Sequence, residues 1–212
     1  MYNVIMQNFT LPQADEREIW RYAGCKTADE ALQKTLQACL VESENAIVGR
    51  ACYCKLSVAD FYVFVDGATQ SQGARERLRG CDEVVIFAAS VGLGIDRLME
   101  KYAKISPTKA LLLQAIGAER IEALCDEVCA HLQREYGEIT PRFSAGYGDF
   151  PLSAQKDFFR LLDCPKKIGV SLTDALLMTP TKSVTAFVGI GKAKTTVGCL
   201  ACDNQNCNFR KE

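Results

Sequence analysis

Histidine occurs once in the 212 residues, and tryptophan once. A histidine-rich zinc site is therefore excluded, and a Ser/His/Asp or Cys/His catalytic system has only His131 to build on. Neither charge sign is in surplus: 25 Lys+Arg stand against 26 Asp+Glu, a formal net charge of −1. Affinity for nucleic acid comes from clustered cations, so no nucleic-acid partner is expected. Long apolar runs are missing as well. The longest, residues 84–95, contains two glycines and falls well short of the roughly 20 residues needed to span a bilayer, so no membrane partner is expected. The first basic residue is Arg17 and the preceding segment is polar, so no secretory leader is expected. There is no internal repeat, low-complexity segment or linker-like stretch.

What the chain has in excess is cysteine, 11 residues in all. An odd number without an export signal points to reduced thiols in the cytoplasm rather than to a disulfide framework. The balance of 48% hydrophobic and 24% charged residues is that of a soluble globular protein.

Hydrophobic periodicity outlines the elements. A short helix is expected over 15–22. A Thr27-x-x-Glu30 capping box opens a second, with Ala31, Leu32, Leu36, Cys39 and Leu40 as its apolar stripe. Two neighbouring strands are expected over 49–58 and 60–65, then a polar helix over 71–79 and a buried strand over 83–90. Gly92-Leu93-Gly94 leads into a helix over 95–104, but Arg97 stands where a dinucleotide-binding loop needs its third glycine, so a tight turn is expected. Ser106-Pro107 starts a long helix that ends at Gly137, with Leu113, Gly117, Ile121, Leu124, Val128 and Leu132 as its core stripe. Cys125 and Cys129, at i and i+4, could share a ligand but read rather as core thiols, and His131 reads as structural or surface rather than catalytic. Ser153 and Thr173 cap two further helices, to about 163 and 178, and 183–190 is a strand. Strands scattered among unrepeated helices define an α+β fold, an antiparallel sheet with flanking helices.

Two segments carry chemistry. Residues 141–151 form a proline-bounded loop containing Arg142, Gly146, Tyr147, Gly148 and Asp149. A guanidinium takes a carboxylate bidentately, glycine lets a ligand approach the backbone, and tyrosine offers a stacking face and a hydroxyl. Such a loop suits a small zwitterion. The second segment is Cys199-x-x-Cys202-x-x-x-x-Cys207, three thiols that can converge on a zinc ion or an iron–sulfur cluster, act as a redox dithiol, or stay unliganded. Cys164, Cys52 or Cys54 can supply a fourth ligand, or that position is open to solvent or a partner. Cys52 and Cys54 share one face of a strand, which also suits packing.

The loop Arg142-x-x-x-Gly146-Tyr147, the helix after it and residues 168–185, Ile-Gly-Val-Ser-Leu-Thr-Asp-Ala-Leu-Leu-Met-Thr-Pro-Thr-Lys-Ser-Val-Thr, resemble the activation domain of cobalamin-dependent methionine synthase in order and spacing. The resemblance implies that the loop binds S-adenosylmethionine. Arg142 would hold the methionine carboxylate, the backbone at Ala145 and Gly146 would line the ligand, and Tyr147 would pack against it. Glu122 or Asp149 would face its ammonium or sulfonium. One departure is Ala186-Phe187-Val188, which replaces a stretch where the family carries a further ligand-contacting tyrosine.

The family's reaction is reductive reactivation of oxidised cobalamin, in which methyl transfer from S-adenosylmethionine draws an uphill one-electron reduction forward. The chain contains no Asp-x-His-x-x-Gly cobalamin motif, so the cobalamin would be carried by a partner, a corrinoid protein or core methionine synthase. The activator would then be freestanding, with an electron donor such as flavodoxin. The expected organisation is an N-terminal region over 1–56, an activation-domain-like core over 57–198 and a cysteine-rich tail over 199–212. An iron–sulfur or zinc electron carrier and a non-catalytic partner of a corrinoid protein are the competing readings.

Overall fold

A computed structural model describes residues 2–192. In chain order the elements are β1 (Ile5–Phe9), α1 (Glu16–Tyr22), α2 (Glu30–Glu44), β2 (Gly49–Ser57), α3 (Val58–Phe64), α4 (Gln72–Leu78), β3 (Glu83–Ser90), α5 (Gly94–Ala103) and α6 (Pro107–Tyr136). After a 3-10 turn (Leu152–Ala154) come α7 (Gln155–Leu162), α8 (Cys164–Ile168), the short strands β4 (Ser171–Leu172) and β5 (Met178–Thr179), and β6 (Ser183–Ile190).

Four strands form one antiparallel sheet in the order β1-β2-β3-β6, and β4 and β5 form a separate hairpin. The fold is thus α+β, as the pattern of elements predicts. Successive strand residues point to opposite faces, and both faces are covered. Cys52, Cys54, Ile86, Ala88 and Phe187 pack against α3, α4, α7 and α8. On the other face Tyr53, Val85, Phe87, Ala186 and Val188 pack against Leu124, Val128 and Leu132 of α6. Burial on both sides explains why 84–90 reads as a continuous apolar run rather than an alternating one. Around the first half of α6, Ile19, Leu36 and Ile95 bring in α1, α2 and α5.

Gly117 interrupts the α6 stripe for a packing reason. A Cβ there would lie 2.8 Å from both Ile95 Cγ2 and Lys182 Cε, so glycine leaves room for α5 and for the chain entering β6.

Several local expectations are corrected. The α2 N-cap is Asp29, whose carboxylate accepts from Leu32 N at 2.8 Å, not Thr27. The expected strand over 60–65 is helix α3: Ser57 Oγ accepts from Asp60 N at 3.0 Å and starts a turn that buries only Phe61. Of the β-branched and aromatic residues that suggested a strand, Val63 and Phe64 are exposed, whereas Phe61 and Val65 are buried. Thr173 caps no helix. Its hydroxyl accepts from Leu177 N at 3.1 Å inside the β4–β5 turn, where Leu176 adopts φ +62°. Ser153 lies in the 3-10 turn, and no side-chain cap hydrogen bond opens α7. The two glycines at the start of α5 make the expected tight turn: Gly92 adopts φ +83°, and Gly94 serves packing, since a Cβ there would lie 2.1 Å from the Ala46 carbonyl oxygen.

Replacing Gly94 with alanine forces that backbone apart and should lower stability by about 1–3 kcal/mol. Urea unfolding of Gly94→Ala checks this, and an unchanged midpoint would disprove the close approach.

Candidate functional site

The chain leaving α6 turns at Gly137, with φ +84°, and runs antiparallel along β6. Gly191 N donates to Glu138 O at 2.7 Å and Thr140 N to Gly189 O at 2.8 Å, and Phe143 and Phe187 exchange both main-chain hydrogen bonds. Phe143 is clamped by this pairing. Its ring stacks on Phe150 at 5.8 Å and meets Phe187 edge-on at 5.8 Å. Between the two loop phenylalanines the chain makes a tight turn through Gly146 (φ +89°) and Gly148 (φ +55°), positions that disfavour a side chain. The turn leaves Tyr147 66% exposed.

Arg142 and Phe143 are neighbours on an extended segment, so their side chains diverge. Phe143 enters the core, and Arg142 turns to α6. Its Nη2 donates to Glu122 Oε2 at 2.6 Å and its Nη1 to Asp126 Oδ1. Glu122 and Asp126 lie one helical turn apart and share one face of α6. The guanidinium that the sequence casts as a carboxylate clamp already holds two carboxylates of its own chain.

A cleft of about 580 Å³ opens beside this cluster. Arg142, Ala145, Tyr147 and Glu122 line one side, and Met178 and Ser183 to Thr185 another. The loop and the end of the 168–185 segment, the two stretches that carry the family resemblance, therefore meet at one site. Gly146 shapes the turn rather than the cleft wall. Continuing the Phe143–Phe187 register by two residues sets Ala145 against Thr185. Ala186, Phe187 and Val188 are fully buried in the sheet, so the stretch that departs from the family pattern is core here.

Asp149 has a different task. It accepts from Ser71 Oγ at 2.7 Å, Gln72 N at 2.5 Å and Gly73 N at 3.1 Å, closing the start of α4. The Ser71 hydroxyl and these amides hold its carboxyl below the ordinary range.

Two residues at the cleft carry no local sequence signal. Arg77 of α4 lies with its guanidinium carbon 3.9 Å from the Phe143 ring centroid, and Gln155 begins α7. Burial pushes the Arg77 guanidinium below its ordinary value. Only the long-range topology brings them here.

The remaining candidates lie elsewhere. Tyr53 Oη is 3.0 Å from His131 Nε2 and donates to Glu135 Oε2 at 3.1 Å, on the α6 side of the sheet. Cys125 and Cys129 have thiols raised by burial. Cys52, Cys54 and Cys164 are buried, and burial pushes Cys54 up to about 12. Among the described residues no group of three or more His, Cys, Asp or Glu is placed to hold a metal ion. Cys199, Cys202 and Cys207 lie outside the described residues. A second cavity, about 460 Å³, lies between α2 and the β1–α1 connection. Its buried cation, Arg120, is engaged by Glu119 at 2.5 Å and by the Pro12 carbonyl at 2.6 Å. No described helix is long and apolar enough to cross a membrane.

Fold and cleft together define an α+β module with a cleft at the edge of its sheet. Residues 68–209, two thirds of the chain, match the family described as vitamin B12 dependent methionine synthase, activation domain, and the chain belongs to that family. It is similar in structure to the MetH reactivation domain bound to AdoHcy, with a TM-score of 0.66 over 92% of this chain and 81% of that one, at 15% identity. At that identity the likeness carries the fold. No curated protein matches the sequence.

Asp149 yields a pH prediction. A carboxyl whose folded pKa is depressed contributes stability above its unfolded value and loses it as pH falls toward the folded one. Asp149→Asn should therefore unfold at lower denaturant than the wild type at pH 7. The gap should close as pH drops below the ordinary value of 3.8. A gap independent of pH would show that the carboxylate charge contributes nothing at this helix start.

Proposed function

We propose that this chain binds S-adenosylmethionine in the cleft and presents its methyl group to cobalamin carried by a corrinoid protein such as methionine synthase, reactivating that enzyme in trans. The observation that carries this reading is the meeting of the Arg142 loop and the Ser183–Thr185 strand around one cleft. Family membership supports the reactivation role, and the structurally similar domain was solved with AdoHcy bound.

The chain's own work is binding and orientation. The Arg142 guanidinium receives the ligand's carboxylate in exchange for an internal partner, and the released Glu122 faces the ligand's ammonium. One ion pair replaces another, so no charge is stranded in the cleft. Ala145 allows close approach, and Tyr147, exposed at the rim, covers the ligand or the docked partner. The partner's corrinoid supplies the nucleophile that accepts the methyl group, and S-adenosylhomocysteine is left in the cleft. Holding the sulfonium carbon in line with that nucleophile is a positioning task. The electron comes from a separate donor such as flavodoxin.

Calorimetry on anaerobically purified protein should show saturable S-adenosylmethionine binding, weakened about 10- to 100-fold in Arg142→Ala. Absence of binding to the wild type would overturn the proposal. The alternative, an electron carrier built on Cys199, Cys202 and Cys207, predicts bound iron or zinc that disappears when all three become serine. Metal analysis that finds neither element removes that alternative.

A further inference from the structure

Among the described residues, three buried side-chain polar atoms have no hydrogen-bond partner: Arg77 Nε, Gln155 Oε1 and Thr185 Oγ1. All three residues line the one cleft. They come from α4, α7 and β6, so no local feature of the chain groups them. Gln155 is 6% exposed and Thr185 2%. Buried polar groups in folded proteins are nearly always paired, and each exception calls for an explanation.

Arg77 is held in place without being neutralised. Its Nη1 donates to Gly73 O at 3.4 Å and its guanidinium lies over Phe143, but no carboxylate among the described residues forms an ion pair with it. In the same cleft Arg142 is paired twice. Arg77 Nε–H, on a residue that lines the cleft, therefore remains a buried donor with no acceptor among the described residues.

The polarity of the set selects the ligand group. Arg77 Nε–H only donates, Gln155 Oε1 only accepts, and the Thr185 hydroxyl does either. A carboxylate or a phosphate brings acceptors alone and would oppose the Gln155 oxygen. A group carrying a donor beside an acceptor satisfies all three, and the adenine edge, with its exocyclic N6 amino group next to a ring nitrogen, is such a group.

We propose that Arg77, Gln155 and Thr185 form the adenine-reading end of the cleft. Gln155 Oε1 accepts from the N6 amino group, and Arg77 Nε–H and the Thr185 hydroxyl donate to the ring-nitrogen side. This assignment rests on the reading that the cleft holds S-adenosylmethionine, and it makes these three residues specificity-determining. The Arg142–Glu122 cluster would then hold the amino-acid end of the ligand, and the sulfonium would lie between.

The test compares S-adenosylhomocysteine with S-inosylhomocysteine, in which a carbonyl oxygen replaces the N6 amino group and opposes the Gln155 oxygen. Wild type should prefer the adenine ligand by at least about tenfold. Gln155→Leu should lower that affinity about tenfold and leave the inosine analogue unaffected, so that discrimination collapses. Thr185→Val serves as the second variant and should also weaken the adenine ligand. Removing an unpartnered polar atom relieves rather than costs the free protein, so both variants should melt at or above the wild-type temperature without ligand. Equal affinity of wild type for the two ligands, or full discrimination retained in Gln155→Leu, would overturn the assignment while leaving the binding reading intact. So would a lower melting temperature with equal loss for both ligands, the signature of a merely structural role. Wild type that binds neither ligand would overturn the S-adenosylmethionine reading itself, and this assignment with it.

Discussion

The pairing of Phe143 with Phe187 is the constraint on which the site depends. It is a single two-bond exchange, flanked by the Thr140–Gly189 contacts, and it converts a proline- and glycine-rich loop into a fifth, partial strand on β6. Strand geometry then decides where each neighbour points. Phe143 is driven into the aromatic cluster with Phe150 and Phe187, Arg142 is turned to α6, and Ala145 comes level with Thr185. A slip of one residue would bury the guanidinium and expose the phenylalanine. The apolar cost of exposing Phe143 and the charge cost of burying Arg142 both oppose it, so the register of the loop is fixed by the same forces that close the core.

The long helix α6 contributes the opposite wall. Its apolar stripe against the sheet sets its rotation, and that rotation carries Glu122 and Asp126 toward Arg142. The cluster bears a formal charge of −1, and Arg77 bears +1 at another part of the cleft. An amino-acid-bearing sulfonium ligand with a neutral base matches an acidic cluster at its cationic end better than it matches a uniformly basic cleft. The charge balance of the whole chain, which argued against nucleic acid, thus reappears locally as a division of charge within the site.

Much of this was legible in the sequence, and the divisions are physical. The strand over 83–90 and the helix ending at Gly137 carry strong periodicity or unambiguous caps, and both stand where expected. Arg142 was visible because it is the one cation of a loop bounded by prolines and turned by glycines. Glu122 was visible only through the family's pattern. The segment over 58–64 was misread because β-branched and aromatic content outweighed the Ser57 cap, and in so short an element one buried residue is enough to decide the outcome. Asp149 looked like a ligand partner but is engaged by three donors at the start of α4, a contact between residues more than 70 positions apart. Arg77 and Gln155 were invisible for the same reason: their roles depend on how α4 and α7 pack against β6, not on their immediate neighbours.

Unpartnered polar groups in a well-packed interior are informative because folding alone gives no reason to keep them. The rest of the described protein satisfies its buried side-chain polar atoms. Arg120, a buried arginine, is surrounded by Glu119 and two carbonyls, and Ser183 and Ser90 satisfy each other at 2.9 Å. The same chain that closes these networks leaves three groups open at one cleft, from three elements, with donor and acceptor character combined. A random packing defect would scatter such atoms or leave one of a kind. Their convergence is better explained by a partner that is not part of the chain, and their mixed polarity requires that partner to present a donor and an acceptor side by side. The cleft is in this sense half of a hydrogen-bond network, and the free protein carries the cost of the missing half until the ligand completes it.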